Sequence, residues 1–577
     1  MKKTGAWLVR YALEQLGVRH TFGIPGVHNT EIYDELNNSE YIEPILVTHE
    51  GGASFMADAV SRTNDHVGCL LIVPAAGVTH AASGIAEAHL DGIPMLIISG
   101  GVRTDTGNAY QLHDMDQHGV LAPITKATFK IEHQKDIVET FYKAYDIATQ
   151  GEPGPVFIEV PVNVQLFTEN VSEPKAYAPS NKAPMIDEVL LDRTARALLG
   201  AKNVGMFVGW GAKECTQELI EIAEILGAPV STTLQGLSVF PSAHPLHTGM
   251  GFGPSAVPAA KNAFSNIDCL FAIGTRFSEI PTGSFGIEVP ENLIHLDINP
   301  DVFNANYPAK TTLEGDAATL LPALLRELKK ICAPVDVKKS LTKAIAIDKQ
   351  DYLEEWLKHD SKNRVNPAAF FQTLHQHIKD EDYVMCDDGN HTFLCAEQLD
   401  INQSKHFVSP TDFNCMGYAV PATVACQLTH PDSQTIGIVG DGAFLMTAME
   451  LLTATKYGLS PIVFVFNDGE LSQISQAQEI PYNRKTCSIL APVDIAGVAQ
   501  AVGAEYVQIN ETSDLASTMK TAFESTGKGK PVLVNVLVDY SKRTQFTQGT
   551  VKTNLKRFDF KTKVRFIGRA ISRKVTG

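Results

Sequence analysis

Short apolar runs alternate with helical patterns in the first third of the chain. The apolar runs, at 69–73, 95–98 and 156–160, are rich in β-branched and long aliphatic residues. Segments with helical spacing lie among them, at 52–61 and 81–90. This alternation predicts parallel βαβ units. A stretch rich in Pro, Ser and Asn at 170–184 then predicts a linker.

Two further regions repeat the alternation. Their strand-like runs lie at 204–208, 269–273 and 293–296, then at 383–386, 435–439, 462–466 and 532–536. A polar, charged stretch at 338–363 separates the two groups. We predict an α/β fold of three consecutive doubly wound parallel-sheet domains, at residues 1–170, 185–335 and 360–540. Ligands of such sheets lie beyond the carboxyl ends of the strands.

Composition adds limits on the class of protein. Of the 577 residues, 44% are hydrophobic and 20% charged, as in ordinary globular proteins. The nine cysteines form no C-x-x-C pair, and no export signal or membrane-spanning run is visible, so we predict a cytoplasmic protein with reduced thiols. The net charge of −17 argues against nucleic-acid binding. Residues 541–577 nevertheless form a basic tail, with eleven Lys or Arg against Asp559 alone.

A tight turn follows the predicted strand at 435–439. Its sequence is Gly440-Asp441-Gly442, and a helical pattern begins at Ala443. Glycines let the backbone approach a phosphate, a helix N-terminus favours an anion, and Asp441 offers a hard oxygen ligand for Mg²⁺. By itself, Gly-Asp-Gly is more often an ordinary turn.

Further oxygen ligands follow the next strand. The run at 462–466 leads into Asn467-Asp468-Gly469-Glu470. Because adjacent parallel strands end at the same edge of a sheet, we expect these groups to lie beside Asp441. The two turns together predict a site for Mg²⁺ and a diphosphate.

The two turns resemble the cofactor signature of thiamine-diphosphate enzymes, in which Gly-Asp-Gly is followed after the next strand by Asn. Other segments are similar to the acetolactate synthase and pyruvate oxidase branch of that family. They lie at 22–26, 49–53, 91–94, 111, 123–126, 244–246, 274–277 and 416–418. The resemblance implies a pyrimidine-binding domain, a central domain and a diphosphate-binding domain.

The resemblance also implies which residues bind the cofactor. Asp441, Asp468 and the backbone carbonyl of Glu470 would hold Mg²⁺, with Asn467 as the alternative if the register is shifted by one. The other residues expected to contact thiamine diphosphate are Gly26, Glu50, His80, Met416, Gly440, Gly442 and Ala443.

Two of these residues have roles in catalysis in the family. Glu50 would hydrogen-bond the pyrimidine ring and favour the tautomer that takes the proton from the thiazolium; otherwise it is a first-turn charge of a helix. Met416 would prop the cofactor into its bent shape, and it can equally be a core residue. The family binds the cofactor between the first domain of one subunit and the third domain of another. We therefore expect at least a homodimer, and a tetramer is common.

The chain departs from the family at several positions. The acetolactate synthase pattern Gly-Pro-Gly-Ala-Thr-Asn reads Ala-Ala-Gly-Val-Thr-His at 75–80. The aromatic residue that holds a second 2-oxo acid is replaced near Ala477, which leaves the second substrate open. The glutamate of pyruvate decarboxylases falls at about Ile474, and their adjacent histidine pair is absent. These differences argue against simple release of an aldehyde.

His28 resembles the loop histidine of benzaldehyde lyase and of cyclohexanedione hydrolase. It could shuttle a proton at a substrate oxygen, or it could cap a helix at 29–36. Gln111 is a candidate hydrogen-bond donor to the substrate, and His113 is a further candidate.

Two features leave alternatives open. Gly209–Gly211 and Arg276 resemble the region that holds FAD in related enzymes, but the Asp-Asp-Arg continuation is missing, so a structural FAD is neither required nor excluded. In the tail, apolar residues fall three or four apart between basic residues at 560–571, which predicts an amphipathic helix. It could lie on an anionic membrane or pack over the acidic face of the active site.

We predict a carboligase of acetolactate synthase type. It would use thiamine diphosphate and Mg²⁺ to decarboxylate a 2-oxo acid such as pyruvate and transfer the acyl carbanion equivalent to a carbonyl acceptor. One alternative is a C–C lyase or hydrolase that splits an acyloin or a diketone. The other is a non-catalytic scaffold that retains the fold.

Overall fold

Three six-stranded parallel sheets follow one another along the chain, as the alternating pattern predicts. The structure is a computed structural model that describes residues 2–179, 186–332 and 339–576. The predicted domain limits at 185 and 335, and residues 180–184 of the predicted linker, lie outside the described residues.

The first sheet has the strand order β3-β2-β4-β5-β7-β6, and a short antiparallel pair, β1 and β8, lies apart from it. The elements are β1 (Lys2–Thr4), α1 (Gly5–Gln15), β2 (His20–Gly23), α2 (Thr30–Leu36), β3 (Glu43–Leu46), α3 (Glu50–Thr63), β4 (Gly68–Ile72), α4 (Ala76–Asp91), β5 (Met95–Gly101), α5 (Gln117–Leu121), β6 (Ala127–Lys130), α6 (Ile137–Thr149), β7 (Pro155–Pro161), α7 (Val162–Leu166) and β8 (Thr168–Asn170).

The central sheet has the order β11-β10-β9-β12-β13-β14. The elements are α8 (Glu188–Gly200), β9 (Val204–Val208), α9 (Thr216–Leu226), β10 (Val230–Thr232), β11 (His247–Met250), α10 (Pro258–Ala263), β12 (Cys269–Ile273), β13 (Leu293–Asp297), β14 (Thr311–Glu314) and α11 (Ala317–Ile331). The polar stretch after this sheet contains a helix, α12 (Lys339–Leu357), which buries Ile345, Tyr352 and Trp356.

The third sheet has the order β16-β15-β17-β18-β20-β19. The elements are α13 (Pro367–Leu374), β15 (Tyr383–Cys386), α14 (Asn390–Gln398), β16 (Phe407–Val408), α15 (Ala419–Thr429), β17 (Thr435–Gly440), α16 (Asp441–Thr447), α17 (Leu451–Lys456), β18 (Ile462–Phe466), α18 (Ser472–Tyr482), α19 (Ile495–Val502), β19 (Glu505–Ile509), α20 (Leu515–Glu524), β20 (Val532–Val536), α21 (Gln545–Arg557) and α22 (Phe560–Thr576).

Burial of the inner strands explains why the apolar runs in the sequence predicted their positions. In β5, β12 and β18 every residue is buried, because helices cover both faces of each sheet. Such strands read as continuous apolar runs rather than as alternating ones. In the third sheet the chain order reverses between β15 and β17, and this switch point is where ligands of open parallel sheets bind.

A buried ionic network joins the first and third sheets within one chain. The guanidinium of Arg62 on α3 contacts Asp58 at 2.6 Å and Asp91 at 2.9 Å. Glu87, with Asp91, accepts hydrogen bonds from backbone amides of the segment 411–415. Burial and the nearby Asp91 raise the pKa of Glu87. The network therefore fixes the segment that leads into Met416.

Tyr418 on the third-sheet side closes this network. Its buried hydroxyl donates to Asp58. We expect Tyr418→Phe to lower the free energy of unfolding by about 2 kcal/mol, because it removes a buried hydrogen bond to a carboxylate. Urea unfolding followed by circular dichroism measures the loss. The control is Tyr506→Phe, whose hydroxyl makes an exposed bond to Gln508; equal losses in the two variants would contradict the expectation.

The basic C-terminal tail forms two helices. Phe546 at the start of α21 is buried and stacks on Phe393, and the backbone amides of Gln545 and Phe546 donate to Glu397. The next helix, α22, lies against α18, where Arg573 packs over Tyr482. Phe560 and Ile571 remain exposed. Among the described residues, no helix combines the length and apolarity needed to cross a membrane.

Candidate active site

The turn after β17 and the turn after β18 are bound together by one carboxylate. Gly440 pairs with Phe466 across the two adjacent strands. Asp441, the first residue of α16, accepts hydrogen bonds from the backbone amide of Gly442 at 2.8 Å and from that of Gly469 at 2.7 Å. A carboxylate has about four acceptor positions. Asp441 is thus fixed in place with lone pairs left for a cation.

The structure distinguishes Asp468 from its neighbour Asn467. Asn467 turns away and donates its side-chain amide to Asn535 of β20 at 3.1 Å. Asp468 lines the same cavity as Asp441 and accepts a hydrogen bond from Ser472. Burial, with the nearby charges of Asp441 and Glu470, raises the pKa of Asp468 to about 6. A cation in this cavity would relieve the crowding of carboxylates.

Glu470 contributes to the cavity in a different way. Its carboxylate is bound by Lys485 at 2.6 Å and by the hydroxyl of Ser475 at 2.6 Å. The side chain is therefore occupied elsewhere. The ligand that the resemblance implies at this position is the backbone carbonyl of Glu470. The contacts of its side chain with Lys485 and Ser475 therefore leave that role open.

A second helix N-terminus, which the sequence analysis did not identify, borders the same cavity. Helix α14 begins at Asn390, directly after β15 and Gly389, and residues 388–391 line the cavity together with 440–443. The N-termini of α14 and α16 therefore flank the switch point, and helix N-termini favour anions. The signal that could have identified it is a strand followed by the turn Asp387-Asp388-Gly389 and then a helix.

The residues present fit a diphosphate and a cation. The cavity measures about 240 Å³. Two buried polar atoms on its wall, Nε2 of His391 and the hydroxyl of Tyr540, have no hydrogen-bond partner among the described residues. A polar ligand would satisfy such atoms, which are costly to leave unpaired. Tyr540 lies far from the Gly-Asp-Gly turn in sequence, and no local pattern marks it.

Met416 lies on the wall of this cavity, in a segment held by Asp387. The two carboxylate oxygens of Asp387 accept from the backbone amides of Gly417 at 2.8 Å and Ala419 at 2.7 Å. Gly417 has a φ of 88°, in the region that favours glycine. The Met416 side chain approaches Gly442 of the phosphate turn. It is partly buried against the core, so both expected roles of Met416 are compatible with its position.

Glu50 lies in a separate cluster on the first sheet. It is the first residue of α3 and only 7% exposed, and its carboxylate contacts Nδ1 of His80 at 3.0 Å. The ring of His80 stacks on that of His49, at 4.7 Å between centroids. His49 caps α3 by accepting from the amide of Gly51. Possible ligand atoms of His49, Glu50 and His80 lie within 4.8 Å of one another, so the three side chains converge on one small space.

The turn between β4 and α4 connects the predicted residues of the first sheet. Val73 leaves no room for a side chain at Gly26, Nδ1 of His113 lies 3.1 Å from the carbonyl of Pro74, and Gly77 approaches Glu50. The rings of His28 and His113 lie 5.0 Å apart. Burial, followed by the proximity of His113, lowers the pKa of His28. Gln111 lies on an exposed segment.

Ala75 stands where the family pattern has glycine, and its backbone is strained there, with φ 57° and ψ −89°. We expect Ala75→Gly to raise the free energy of unfolding by about 1 kcal/mol, because relief of strain of about 1–3 kcal/mol exceeds the entropy of the added glycine. Thermal and urea unfolding measure the gain. The control is Ala346→Gly in α12, which is expected to lower the free energy of unfolding by about 1 kcal/mol. A lower free energy of unfolding in both variants would show that the backbone at Ala75 is not strained.

The two clusters do not form one cavity in a single chain. The cavity at Asp441 is lined by residues between 388 and 540 only. Near the Glu50 cluster, the amide and hydroxyl of Thr48 donate to Glu450, and α3 packs on α15 of the third domain. Within one chain, the Glu50 cluster therefore lies outside the Asp441 cavity.

Comparison with known proteins assigns three domain types along the chain. Residues 3–120 match the N-terminal TPP binding domain of thiamine pyrophosphate enzymes, residues 191–324 the central domain, and residues 387–536 the C-terminal TPP binding domain. The chain is 30% identical to the acetolactate synthase large subunit of Haemophilus influenzae, over 94% of this chain and 96% of that protein. It is also 30% identical to the acetolactate synthase isozyme 3 large subunit of Escherichia coli, over 93% of this chain and 95% of that protein. A probable acetolactate synthase large subunit of Methanocaldococcus jannaschii is 29% identical, over 93% of this chain and 92% of that protein. The chain therefore belongs to the thiamine pyrophosphate enzymes, in the family of the acetolactate synthase large subunits.

Proposed function

We propose that this protein is a thiamine-diphosphate-dependent carboligase that decarboxylates a 2-oxo acid such as pyruvate and transfers the acyl group to a carbonyl acceptor. The observation that carries the proposal is the buried Glu50 carboxylate at the start of α3, held by His80. Thiamine diphosphate, when bound, supplies the carbanion chemistry of the reaction. Glu50 would hold a proton at the pyrimidine nitrogen of the cofactor, and the contact with His80 restricts the orientation of the carboxylate.

Magnesium belongs to the same proposal. Asp441 and Asp468 would provide side-chain oxygens and Glu470 a backbone carbonyl, which is the oxygen-only donor set that Mg²⁺ prefers. The N-termini of α14 and α16 would stabilise the diphosphate charge. Met416 would support the cofactor between its two rings.

We also propose a homodimer as the smallest active unit. Support comes from the two half-sites, which face separate spaces in one chain. Exposed apolar side chains on α16, on α17 and in the turn between them offer a surface for a second copy: Leu445, Met446, Met449 and Leu452. A cytoplasmic location fits the nine cysteines, most of which are buried.

FAD fits the central sheet poorly. Its expected pocket, near Gly209, Gly211 and Arg276, is acidic. Four carboxylates line it, from Asp91, Glu152, Asp297 and Asp412, against the cations of Lys213 and Arg276. Arg276 is already paired with Glu152 at 3.3 Å and Asp412 at 3.5 Å. This charge disfavours the FAD diphosphate, so we propose no role for a flavin; visible absorbance of the purified protein tests this.

The wall of the Asp441 cavity favours carboligation over release of an aldehyde. Ile474 lies on this wall, with no acid at the position where pyruvate decarboxylases have one. Product analysis by mass spectrometry, with pyruvate alone and with added aldehydes or ketones, tests the proposal. We expect acyloin products that depend on thiamine diphosphate and Mg²⁺. Acetaldehyde as the sole product would overturn the carboligase.

The paired rings of His28 and His113 favour a second candidate, a lyase that splits an acyloin. A neutral His28 could accept the hydroxyl proton of such a substrate, since its pKa is lowered. For this activity we expect His28→Ala and His113→Ala each to lower kcat for acyloin cleavage by about 10²-fold. Stopped assays of aldehyde release measure it, with the exposed His133→Ala as control. Unchanged cleavage in both variants would exclude the pair from the reaction.

The tail helix α22 borders the active site through α18, whose first residues line the Asp441 cavity. We propose that packing on α18, rather than membrane contact, is its main role. Because α21 is anchored by Phe546, the variant that tests membrane contact ends at residue 557, so that it keeps α21 and removes only α22. Equal flotation of this variant and the full chain with anionic vesicles is the expected result.

A further inference from the structure

A cavity separate from the active site lies where the central sheet, α12 and the third sheet meet. It measures about 170 Å³. None of the residues assigned above to the cofactor lines it. Its wall includes Lys349 of α12, His247 of β11 and Gln398 at the end of α14.

Lys349 brings an ammonium group into this cavity, and Asp400 on the same wall is a carboxylate whose charge acts on it. It donates to the carbonyl of Ser242 at 3.2 Å and to Nδ1 of His247 at 3.3 Å, and it makes no ion pair within the described part of the chain. Burial lowers the pKa of Lys349, as expected for a cation removed from water. An ammonium has three donor positions, so one remains for a ligand.

His247 provides a second free donor. The residue is 5% exposed, and burial with the charge of Lys349 lowers its pKa well below the ordinary value, so the ring is neutral. Because Nδ1 accepts from Lys349, the proton of the neutral ring lies on Nε2. That Nε2 is buried and has no partner among the described residues, and the same holds for Nε2 of Gln398.

We infer that this cavity binds a small monocarboxylate. Three side chains with unused donors line one space, and buried donors without acceptors are costly. Leu237, Val257 and Leu399 line the remainder and suit an alkyl or acyl group. A comparable engineered cavity of about 150 Å³ holds a benzene-sized molecule, so the space suits about six non-hydrogen atoms.

Acidic groups on the same wall favour one negative charge over two. Asp400 is exposed, and Asp348 accepts from Asn262 at 2.9 Å. Glu397 is bound by the Tyr352 hydroxyl and by two backbone amides, and burial raises its pKa to about 7. These carboxylates would repel a phosphate or sulfate dianion more than a monocarboxylate. Helix α14 spans about 13 Å from this cavity to the diphosphate cavity, so an occupant would contact the same helix as the cofactor.

Fluorine NMR of trifluoroacetate with the full-length protein, saturated with thiamine diphosphate and Mg²⁺, tests the inference. We expect saturable broadening of the signal, displaced by acetate but not by chloride at the same ionic strength. Lys349→Met should weaken binding at least about tenfold, since it keeps the length of the side chain and removes its charge. The matched control is Lys343→Met, an exposed lysine on the same helix, which should bind like the wild type.

Three results would overturn the inference. They are the absence of saturable binding to the wild type, displacement by chloride as effective as by acetate, and equal binding by Lys349→Met and the wild type. Removal of a partly buried cation that forms no ion pair is compatible with folding. If Lys349→Met nevertheless fails to fold, Gln398→Leu serves as the second variant, and the competition experiment on the wild type decides independently of both.

Discussion

Glu50→Gln is expected to lower kcat by about 10²–10⁴-fold while thiamine diphosphate still binds, the largest effect expected of a conservative substitution in this protein. Glutamine keeps the shape of the side chain and can still contact His80. It cannot hold the proton that the pyrimidine ring requires. Steady-state kinetics with pyruvate and a carbonyl acceptor measure the loss, and calorimetric titration of the cofactor separates catalysis from binding.

A matched control distinguishes this role from a general effect of charge at a helix N-terminus. Glu188 occupies the first turn of α8 and is exposed, so Glu188→Gln removes a similar charge far from the site. We expect it to retain full activity. Equal turnover of Glu50→Gln and the wild type across 2-oxo acids and acyloins would instead support the non-catalytic scaffold.

Asp441→Ala is expected to abolish Mg²⁺-dependent binding of thiamine diphosphate. Loss of a residue that only supports a metal ligand typically costs about 10–100-fold in metal affinity, so loss of a ligand that also fixes two turns should exceed about 10²-fold. Titration of the cofactor at fixed Mg²⁺, and of Mg²⁺ at fixed cofactor, measures both affinities.

Two neighbouring variants make the assignment of ligands testable. Asp468→Asn keeps an oxygen ligand and should weaken Mg²⁺ binding by less than about tenfold. Asn467→Ala should bind Mg²⁺ like the wild type, since its amide contacts Asn535. A large loss of Mg²⁺ affinity in Asn467→Ala, with none in Asp468→Asn, would shift the ligand by one residue.

The α/β fold and the thiamine-enzyme family, both predicted from sequence, are confirmed. They were accessible because the inner strands are buried on both faces and therefore read as apolar runs. The Gly-Asp-Gly turn could be placed for the same reason, since a buried strand directly precedes it and a helix directly follows. The site residues themselves stay predictions, now with a geometry that can be tested.

Other parts of the site depend on contacts between distant segments. Nothing local connects Tyr540 with Asp441, or His28 with His113, and only the folded chain places each pair together. Whether Asn467 or Asp468 faces the expected Mg²⁺ site depends on which of the two side chains binds β20. The sequence of one strand alone does not show this contact. The free donors of His247 and Gln398 likewise become apparent only when the fold brings β11 and the end of α14 to one cavity.

The network around Arg62 has a consequence for how two catalytic centres in a dimer would behave. Helix α3 carries Glu50 at its first residue and Arg62 near its end, and Arg62 and its carboxylate partners hold the segment that leads to Met416. In the proposed dimer, Glu50 and Met416 of one chain would belong to different catalytic centres. A shift of α3 would therefore displace a wall of both centres at once, so the two centres would share one mechanical element instead of moving independently.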